Sequence, residues 1–261
     1  MKKSEQVKIC DRLGIEDFHY VEIESKMRVQ SEDAEDLTEW LADRKKVKHE
    51  GMRSFFDQFL DTPDLAVLKA GGSLRLRYKG DGTNVYLQYK GPGFHRDGLL
   101  YRSEFSSPKL EHVILEESHH DVAHFTEGSI QDILSDHVDP AMHRAMVRHL
   151  GARVVNRISR GPILCLYQKD KFEVDLGSAF LEPSVDRLFA FHINRSGFHP
   201  MSTFCEYENE IKSESKDLGD KLDHIDELLE FDEKVADEFD LRPERLDKYH
   251  RCASTFIKHR R

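Results

Sequence analysis

Two stretches of the chain carry charged side chains at every second residue, EIESK near the start and CEYENEIK near the end. The charged residues are Glu22, Glu24 and Lys26 in the first stretch and Glu206, Glu208, Glu210 and Lys212 in the second. Because alternate residues of a β-strand point to the same face, each stretch would hold its carboxylates side by side. Carboxylates that cluster without thiolates suit hard cations such as Mg²⁺ and Mn²⁺. The two stretches are therefore candidates for a metal site.

Charged side chains alternate in the same way along other stretches. They are Arg75 and Arg77 in SLRLR, Lys90 in YLQYK, Arg102 beside Glu104 in YRSEF, Arg153 and Arg157 in RVVNR, and Glu173 and Asp175 in KFEVDL. Guanidinium and ammonium groups bind the oxygens of a polyanion, and a guanidinium can hold two oxygens at once. The basic stretches therefore suit a phosphate-rich ligand.

Each charged face has two interpretations. Taken alone, a strand with one charged side is most often the solvent-exposed face of an amphipathic strand. Taken together, the strands divide into acidic and basic ones, which favours a sheet that closes with its apolar side outward and its charges in one lumen. Metal and multivalent phosphate in such a lumen, with water activated by a second metal or a carboxylate, are the requirements of phosphoryl transfer. The sequence contains no P-loop motif.

The elements that would position these side chains follow from hydrophobic periodicity. Alternation predicts strands at 19–29, 53–60, 73–79, 84–90, 99–106, 152–160, 163–168, 171–177, 187–193 and 203–212. Helical spacing predicts helices at 3–13, 32–48, 64–70, 108–117, 128–135, 139–149 and 217–236. The turn signals KGDGTN at 79–84 and QKDK at 168–171 predict antiparallel hairpins. These patterns together predict an α+β protein with an antiparallel barrel or a strongly curved sheet.

The composition limits the classes of function. With 261 residues and no linker rich in Pro, Gly and Ser, the sequence predicts one domain that spans residues 1–261. A formal net charge of −10 argues against a general nucleic-acid binder, and no apolar run approaches the roughly 20 residues of a membrane span. The four cysteines are scattered without a CxxC pair, which favours a reduced, cytoplasmic setting. The 15 histidines match no metal-ligand spacing.

Several motifs occur in an order that is typical of one family. They are EIESK at 22–26, FLDTPDLAVLKAGGSLRLR at 59–77, YLQYKGP at 86–92, YRSEF at 101–105, FEVDLG at 172–177 and CEYENEIK at 205–212. In this order they resemble the blocks of the CYTH superfamily, whose members are also called triphosphate tunnel metalloenzymes. The closing LRPERLDKYHR at 241–251 is similar to the tail of bacterial inorganic triphosphatases of this group. The resemblance covers about residues 18 to 250.

The resemblance implies an eight-stranded antiparallel β-barrel with helices packed outside and a helical insertion between its two halves. The strand core would span about 18–213, the insertion about 108–150 and the C-terminal helices about 215–261. The barrel would enclose a tunnel that binds a triphosphate with Mg²⁺ or Mn²⁺, and most members hydrolyse the terminal phosphate. We interpret the insertion as a packing layer, with a lid or a dimer surface as alternatives.

The resemblance also implies roles for individual residues. The metal ligands would be among Glu22, Glu24, Asp175, Glu206, Glu208 and Glu210, and the pair on the last strand is either Glu206 with Glu208 or Glu208 with Glu210. Catalysis would involve Glu22, Glu24, Lys26 and Asp175. The triphosphate would be held by Lys26, Arg75, Arg77, Lys90, Arg102, Arg157 and Lys212. Glu104 would be a charge partner of the arginines.

The leading hypothesis is a metal-dependent triphosphatase that acts on inorganic tripolyphosphate or another small triphosphate. A class IV type adenylyl cyclase, and a non-catalytic module that binds polyphosphate or a nucleotide, are the alternatives. The expected partner is a small triphosphate or a polyphosphate, with neither nucleic acid nor a membrane. The sequence leaves open whether the protein forms a homodimer.

Overall fold

The computed structural model describes residues 2–79, 84–110, 127–194, 197–213 and 220–259. The strands in these ranges are β1 Val21–Val29, β2 Val47–Asp61, β3 Ser73–Lys79, β4 Asn84–Lys90, β5 Phe94–Arg96, β6 Leu99–Ser106, β7 Ser159–Asp175, β8 Phe180–Asn194, β9 Gly197–Lys212 and β10 Arg242–Pro243. The helices are α1 Lys2–Leu13, α2 Ala34–Ala42, α3 Ala66–Lys69, α4 Glu127–Asp136, α5 Pro140–Leu150, α6 Ala152–Val155, α7 Asp220–Asp223, α8 Ile225–Phe239 and α9 Lys248–His259.

Eight antiparallel strands close into a ring. Their order is β1, β9, β8, β7, β2, β3, β4 and β6, and β6 pairs with β1 to complete the circle. The short strands β5 and β10 extend the sheet by pairing with β6 and β1, respectively. The ring confirms the predicted arrangement of eight antiparallel strands, and the helices around it confirm the α+β class.

The alternation of residue types decides which side of a strand faces the inside of the ring. In β1, Val21 and Ile23 belong to an apolar core on the outer face. Glu22, Glu24 and Lys26 line a cavity on the inner face. Because successive side chains of a strand point to opposite faces, one strand serves both surfaces. We call the space enclosed by the eight strands the lumen.

Helices cover much of the outer face of the ring. Ile9 of α1 lies in the main apolar core, whereas Leu37 of α2 and Val235 of α8 share a second one. Burial of such side chains stabilises the fold by about 25 cal/mol for each Å² of apolar surface removed from water. In the described residues, no helix combines the length and the apolar character needed to cross a membrane.

The predicted insertion at about 108–150 lies between β6 and β7 and contains α4 and α5, and α6 follows it. Ile130 and Ile133 of α4 and Met142 and Met146 of α5 are buried in the main apolar core. Their burial agrees with a packing layer over the ring. Residues 111–126, which include most of the helix predicted at 108–117, lie outside the described residues.

α9 differs from these helices because it packs on the inner face of the ring. Its residues Tyr249, Cys252 and Phe256 share an apolar core with Cys165 and Tyr167 of β7. Tyr167 lines the cavity, and Cys165 lies on the same face two residues earlier. The apolar side of α9 therefore fills one end of the lumen. The predicted placement of helices outside the sheet does not extend to α9.

The hairpin predicted around QKDK at 168–171 is wrong. The two strands predicted at 163–168 and 171–177 are one continuous strand, β7. Its partner β8 continues opposite the whole segment, with Gln168 paired to Arg187 and Lys171 paired to Ser184. A polar run resembles a turn when one face of a strand is assumed to be apolar. Here the lumen accepts charged side chains, so the polar run stays in the sheet.

Two further local predictions are wrong. The strand predicted at 152–160 is replaced by α6 and a turn, and β7 begins only at Ser159. Gly151, with a φ of 84°, ends α5 and allows the chain to enter α6 at once. The helix predicted at 32–48 ends at Ala42, and β2 begins at Val47, several residues before the predicted strand.

Candidate functional site

One cavity occupies the part of the lumen that α9 leaves free, and its volume is about 320 Å³. Eleven lysine or arginine side chains and seven carboxylates line it, so its wall carries an excess of four positive charges. This sign is opposite to that of the chain as a whole, whose formal net charge is −10. A concave surface lined by one excess charge concentrates ligands of the other sign. The cavity is therefore suited to an anion.

The charges are divided between two walls of the cavity. Strands β2, β3 and β7 carry the cations Arg53, Arg75, Arg77, Lys79, Lys169 and Lys171. Strands β1, β6 and β9 carry the acids Glu22, Glu24, Glu104, Glu208 and Glu210, together with the cations Lys26, Arg102 and Lys212. β1 and β2 are four strands apart around a ring of eight, so these two walls face each other. An anion on the first wall would face a cation held by the second.

Three carboxylates converge on the acidic wall, and we call Glu22, Glu104 and Glu210 the first triad. Each offers one oxygen atom, and these atoms lie within 4.8 Å of one another. Glu22 of β1 pairs with Arg102 of β6, and Glu104 follows on the same face of that strand. Glu210 of β9 pairs with Glu24 of β1. Oxygen donors without sulfur are the ligand set that Mg²⁺ and Mn²⁺ prefer.

Lysine and arginine neutralise Glu22 strongly. Lys90 Nζ lies 2.6 Å from Glu22 Oε1, and Arg102 Nε lies 2.6 Å from Glu22 Oε2. Burial alone would raise the pKa of Glu22, but Arg102 and Lys90 hold it well below its ordinary value. Glu22 is therefore ionised and available as an oxygen donor at neutral pH.

Glu210 is in a different electrostatic position. Burial raises its pKa to about 7, and the negative charges of Glu22 and Glu104 add to the rise, although Lys212 opposes it. A cation bound between the three carboxylates would offset both the burial and the mutual repulsion of their charges. The first triad therefore fits a bound divalent cation.

A second group of carboxylates, Asp186, Glu206 and Glu208, lies where the cavity meets α9, and we call it the second triad. Its oxygen atoms also lie within 4.8 Å of one another. Asp186 of β8 pairs with Glu206 of β9, and Glu208 is the next residue on that face of β9. Lys248 Nζ lies 2.8 Å from Asp186, 2.7 Å from Glu206 and 2.7 Å from Glu208. The second triad thus holds a cation that belongs to the chain.

Arg75 and Arg77 are fixed by Asp57, a buried carboxylate on the inner face of the neighbouring strand β2. Asp57 Oδ2 accepts hydrogen bonds from Arg75 Nη1 at 2.9 Å and from Arg77 Nη2 at 2.8 Å. Gln88 Oε1 accepts two more from Arg75, at 3.1 and 3.0 Å. Burial would raise the pKa of Asp57, but the two guanidinium groups hold it below its ordinary value. The arginines are therefore oriented in advance of any ligand.

Eleven of the residues predicted from the sequence line the cavity. They are Glu22, Glu24, Lys26, Arg75, Arg77, Lys90, Arg102, Glu104, Glu208, Glu210 and Lys212. Glu206 does not line it, because its side chain is buried against Lys248 and Arg251. Of the two acidic pairs left open on the last strand, Glu208 with Glu210 reaches the cavity. The individual roles of these residues stay predictions.

Asp175 and Arg157 are not brought to the cavity. Asp175 is exposed at the end of β7, and its Oδ1 accepts a hydrogen bond from the amide of Gly177 at 2.7 Å. Arg157 lies in a turn after α6 with 48% of its side chain exposed, and its Nη2 is 3.2 Å from Asp64 Oδ1. The geometry therefore argues against a metal ligand at Asp175 and against a phosphate contact at Arg157.

Several charged residues of the cavity are absent from the sequence-based prediction. They are Arg53, Lys79, Lys169, Lys171, Glu182, Asp247 and Lys248. For Lys169 and Lys171 a signal exists, since they alternate with Tyr167 on one face of β7. Lys79 likewise follows Arg75 and Arg77 on the inner face of β3. Lys248 had no such signal, because no periodic pattern links the C-terminal segment to the lumen.

The family model for the CYTH domain matches residues 21–238. HpAC1 from Hippeastrum, described as a candidate adenylyl cyclase with a dominant triphosphatase activity, is similar to the chain with a TM-score of 0.57 and 17% identity, over 89% of this chain and 95% of that one. The PH1819 protein from Pyrococcus horikoshii OT3 has a TM-score of 0.50 and 15% identity, over 92% of this chain and 99% of that one. At these identities the two structures show the fold alone. No curated protein matches the chain.

Proposed function

The chain belongs to the CYTH domain family, and we propose that it is a metal-dependent triphosphatase that releases the terminal phosphate of inorganic tripolyphosphate or another small triphosphate. The observation that carries this proposal is the pairing of a basic wall with the first triad across one cavity. A triphosphate carries several negative charges along a short chain and also shares oxygens with divalent cations. It therefore matches both walls at once.

The basic wall would bind the phosphate chain. Asp57 fixes the orientation of the guanidinium groups of Arg75 and Arg77. These side chains therefore lose little conformational entropy when the ligand binds. Lys169 and Lys171 of β7 extend the same wall. Guanidinium groups can donate to two phosphate oxygens each, which favours a multivalent phosphate over a single carboxylate ligand.

The first triad would hold Mg²⁺ or Mn²⁺. Its three carboxylate oxygens lie within 4.8 Å of one another, and burial together with the charges of Glu22 and Glu104 raises the pKa of Glu210. The bound ion would polarise phosphoryl oxygens and favour attack by water.

In the proposed reaction the oxygen of water forms a bond to the terminal phosphorus, and the bond from that phosphorus to the bridging oxygen breaks. Orthophosphate and diphosphate are released, and one proton leaves the attacking water. Arg75, Arg77 and Lys90 would stabilise the negative charge that develops on the departing diphosphate. No covalent bond to the protein is required.

We further propose that the expected partner is this small triphosphate or a polyphosphate, without nucleic acid. A cytoplasmic location is proposed as well. The four cysteines, which are buried free thiols, favour a reducing compartment.

A substrate panel tests the proposed function. Purified protein would be incubated with tripolyphosphate, thiamine triphosphate, ATP and long polyphosphate, in Mg²⁺ and in Mn²⁺, and released orthophosphate would be measured. We expect turnover of at least one triphosphate, and none after the metal is chelated. Glu22→Gln removes one carboxylate of the first triad and should lower turnover by more than about a hundredfold, since even residues that support metal ligands typically contribute 10- to 100-fold.

Glu39→Gln is the matched control, because it makes the same chemical change at an exposed position of α2 outside the lumen. It should leave turnover unchanged. Turnover by Glu22→Gln at the rate of the unmodified protein would contradict the assigned site. Cyclic AMP formed from ATP without orthophosphate would indicate a cyclase. Binding of tripolyphosphate without release in either metal would indicate a binding module.

A further inference from the structure

The second triad places three carboxyl groups in the interior of the protein. Asp186 and Glu206 are fully buried, and Glu208 is only 8% exposed. A buried carboxylate without a partner is costly, so the three groups require positive charge close by. A cation must therefore accompany this triad for the chain to fold.

Lys248 supplies that cation from the centre of the triad. Its Nζ lies 2.7 or 2.8 Å from one oxygen of each of Asp186, Glu206 and Glu208. An ammonium group has three N–H donors, which equals the number of carboxylates that it meets. Burial alone would lower the pKa of Lys248, but the three carboxylates raise it well above its ordinary value. The side chain therefore stays charged at neutral pH.

Neighbouring cations complete the neutralisation. Lys26 Nζ lies 2.8 Å from Glu208 Oε1, and Arg251 Nη1 lies 2.9 Å from Glu206 Oε2. Lys169 Nζ lies 3.3 Å from the other oxygen of Glu208. The second triad is thus surrounded by cations that all belong to the chain.

The position of Lys248 is fixed by its helix. The next residue, Tyr249, donates a hydrogen bond to Asp61 Oδ2 at 2.8 Å and stacks on Phe59 with ring centroids 4.4 Å apart. Cys252 and Phe256 are buried one and two turns further along α9. Withdrawal of the ammonium from the triad would require this apolar core to open.

The first triad has no equivalent group. Lys90 contacts Glu22 and Glu104, while Lys212 contacts Glu210, so among the described residues no single ammonium meets all three carboxylates. The two triads are therefore chemically similar but differ in whether the chain places a cation at their centre.

We propose that Lys248 takes the place of a second divalent metal ion, so that the protein binds one such ion in the first triad and keeps the second triad closed to metal. Removal of the ammonium would convert the second triad into a metal site. The number of ions in the unmodified protein rests on the proposed function, whereas the effect of Lys248 does not.

Titration with Mn²⁺, followed by the electron paramagnetic resonance signal of the free ion, tests this proposal. Methionine has a similar length to lysine and no charge, so Lys248→Met removes the ammonium with little change in packing. We expect one bound Mn²⁺ per chain in the unmodified protein and two in Lys248→Met. Mn²⁺ should also raise the melting temperature of Lys248→Met more than that of the unmodified protein, because the ion restores the missing positive charge.

Glu206→Gln provides the control. In the unmodified background it should leave the stoichiometry at one, and combined with Lys248→Met it should remove the additional ion. The proposal is overturned if folded Lys248→Met gains no Mn²⁺, or if Glu206→Gln alone lowers the stoichiometry. The Mn²⁺ stoichiometry of Glu206→Gln alone tests the proposal even if Lys248→Met does not fold. An unmodified protein that binds no Mn²⁺ would contradict the proposed function, while a gain of one ion in Lys248→Met would still support the role of Lys248.

Discussion

The two ends of the lumen use the same kinds of side chain in different ways. At the end filled by α9, the carboxylates of the second triad meet cations of the chain, as Asp186 meets Lys248 at 2.8 Å, and Asp61 accepts hydrogen bonds from backbone amides and Tyr249. In the cavity, lysine and arginine outnumber carboxylates by eleven to seven. The filled end is electrostatically complete without a ligand, whereas the cavity is not. The comparison indicates that the charged groups at the filled end stabilise the fold, whereas the excess positive charge of the cavity is available to bind an anionic ligand.

This difference predicts that substitutions at the two ends of the lumen change different properties of the protein. Substitutions at the filled end should lower the free energy of unfolding, because they leave buried groups without partners. Substitution of an excess cation of the cavity, such as Lys79, should lower affinity or turnover with little cost in stability, because neighbouring positive charges repel it in the absence of a ligand.

The largest effect on stability is expected at Asp61, at the filled end. Its Oδ1 accepts hydrogen bonds from the amides of Thr62 at 2.6 Å and Val67 at 2.8 Å. Its Oδ2 accepts from the amide of Leu68 at 3.0 Å and the hydroxyl of Tyr249 at 2.8 Å. Asp61→Ala leaves these four donors without their acceptor, and the free energy of unfolding should fall by more than about 4 kcal/mol. Urea denaturation measures this change.

Tyr249→Phe is the matched control for Asp61, since it removes only one of the four hydrogen bonds. It should lower the free energy of unfolding by about 1 to 2 kcal/mol. If Asp61→Ala cost no more than Tyr249→Phe, the three amide hydrogen bonds to Asp61 would add nothing to stability, and the proposed contrast between the two ends would fail.

The sequence predicts the inner face of the ring wherever a strand alternates strictly. In EIESK the apolar Val21 and Ile23 flank Glu22, and the period of two already separates core from lumen. The same pattern predicts Arg75, Arg77 and Glu208. These residues could be predicted from the sequence because their position depends only on local geometry.

Other parts of the site depend on contacts between distant segments. Lys248 reaches the second triad only because the apolar side of α9 packs on the inner face of β7, and nothing in LDKYHR indicates which face of the sheet it meets. Asp175 shows the opposite case. It continues the alternation of β7, but the strand extends past the cavity, so its side chain is exposed. Periodicity gives the face of a strand and not the depth of a residue along the lumen.

A smaller effect, on affinity, is expected at Lys79 in the cavity. Burial lowers the pKa of its ammonium group, and the positive charges of Arg77 and Arg53 lower it further. Lys79→Gln should raise the KM for tripolyphosphate by about three- to tenfold, a loss of roughly 1 kcal/mol, without lowering the free energy of unfolding. Steady-state kinetics and urea denaturation of the same sample measure both. Lys48→Gln, at a side chain that is 71% exposed outside the cavity, is the control and should change neither.

The smallest effect concerns pH and lies at the filled end. His250 Nδ1 lies 2.7 Å from Asp247 Oδ1, and its Nε2 lies 3.0 Å from the carbonyl oxygen of Leu68. Both ring nitrogens face acceptors, so the doubly protonated ring fits best. Burial alone would lower the pKa of His250, but the hydrogen bond and charge of Asp247 raise it above its ordinary value.

Because its pKa is higher in the folded state than in the unfolded one, His250 stabilises the fold fully below about pH 6.5. That contribution is lost as the pH rises through the pKa of the folded protein. Urea denaturation at pH 6 and pH 9 should therefore show a decrease in the free energy of unfolding that is smaller in His250→Gln. An equal decrease in both proteins would assign the pH dependence to other groups. His250→Gln should leave the KM for tripolyphosphate unchanged, because His250 stabilises the end of the lumen that already carries its own cations.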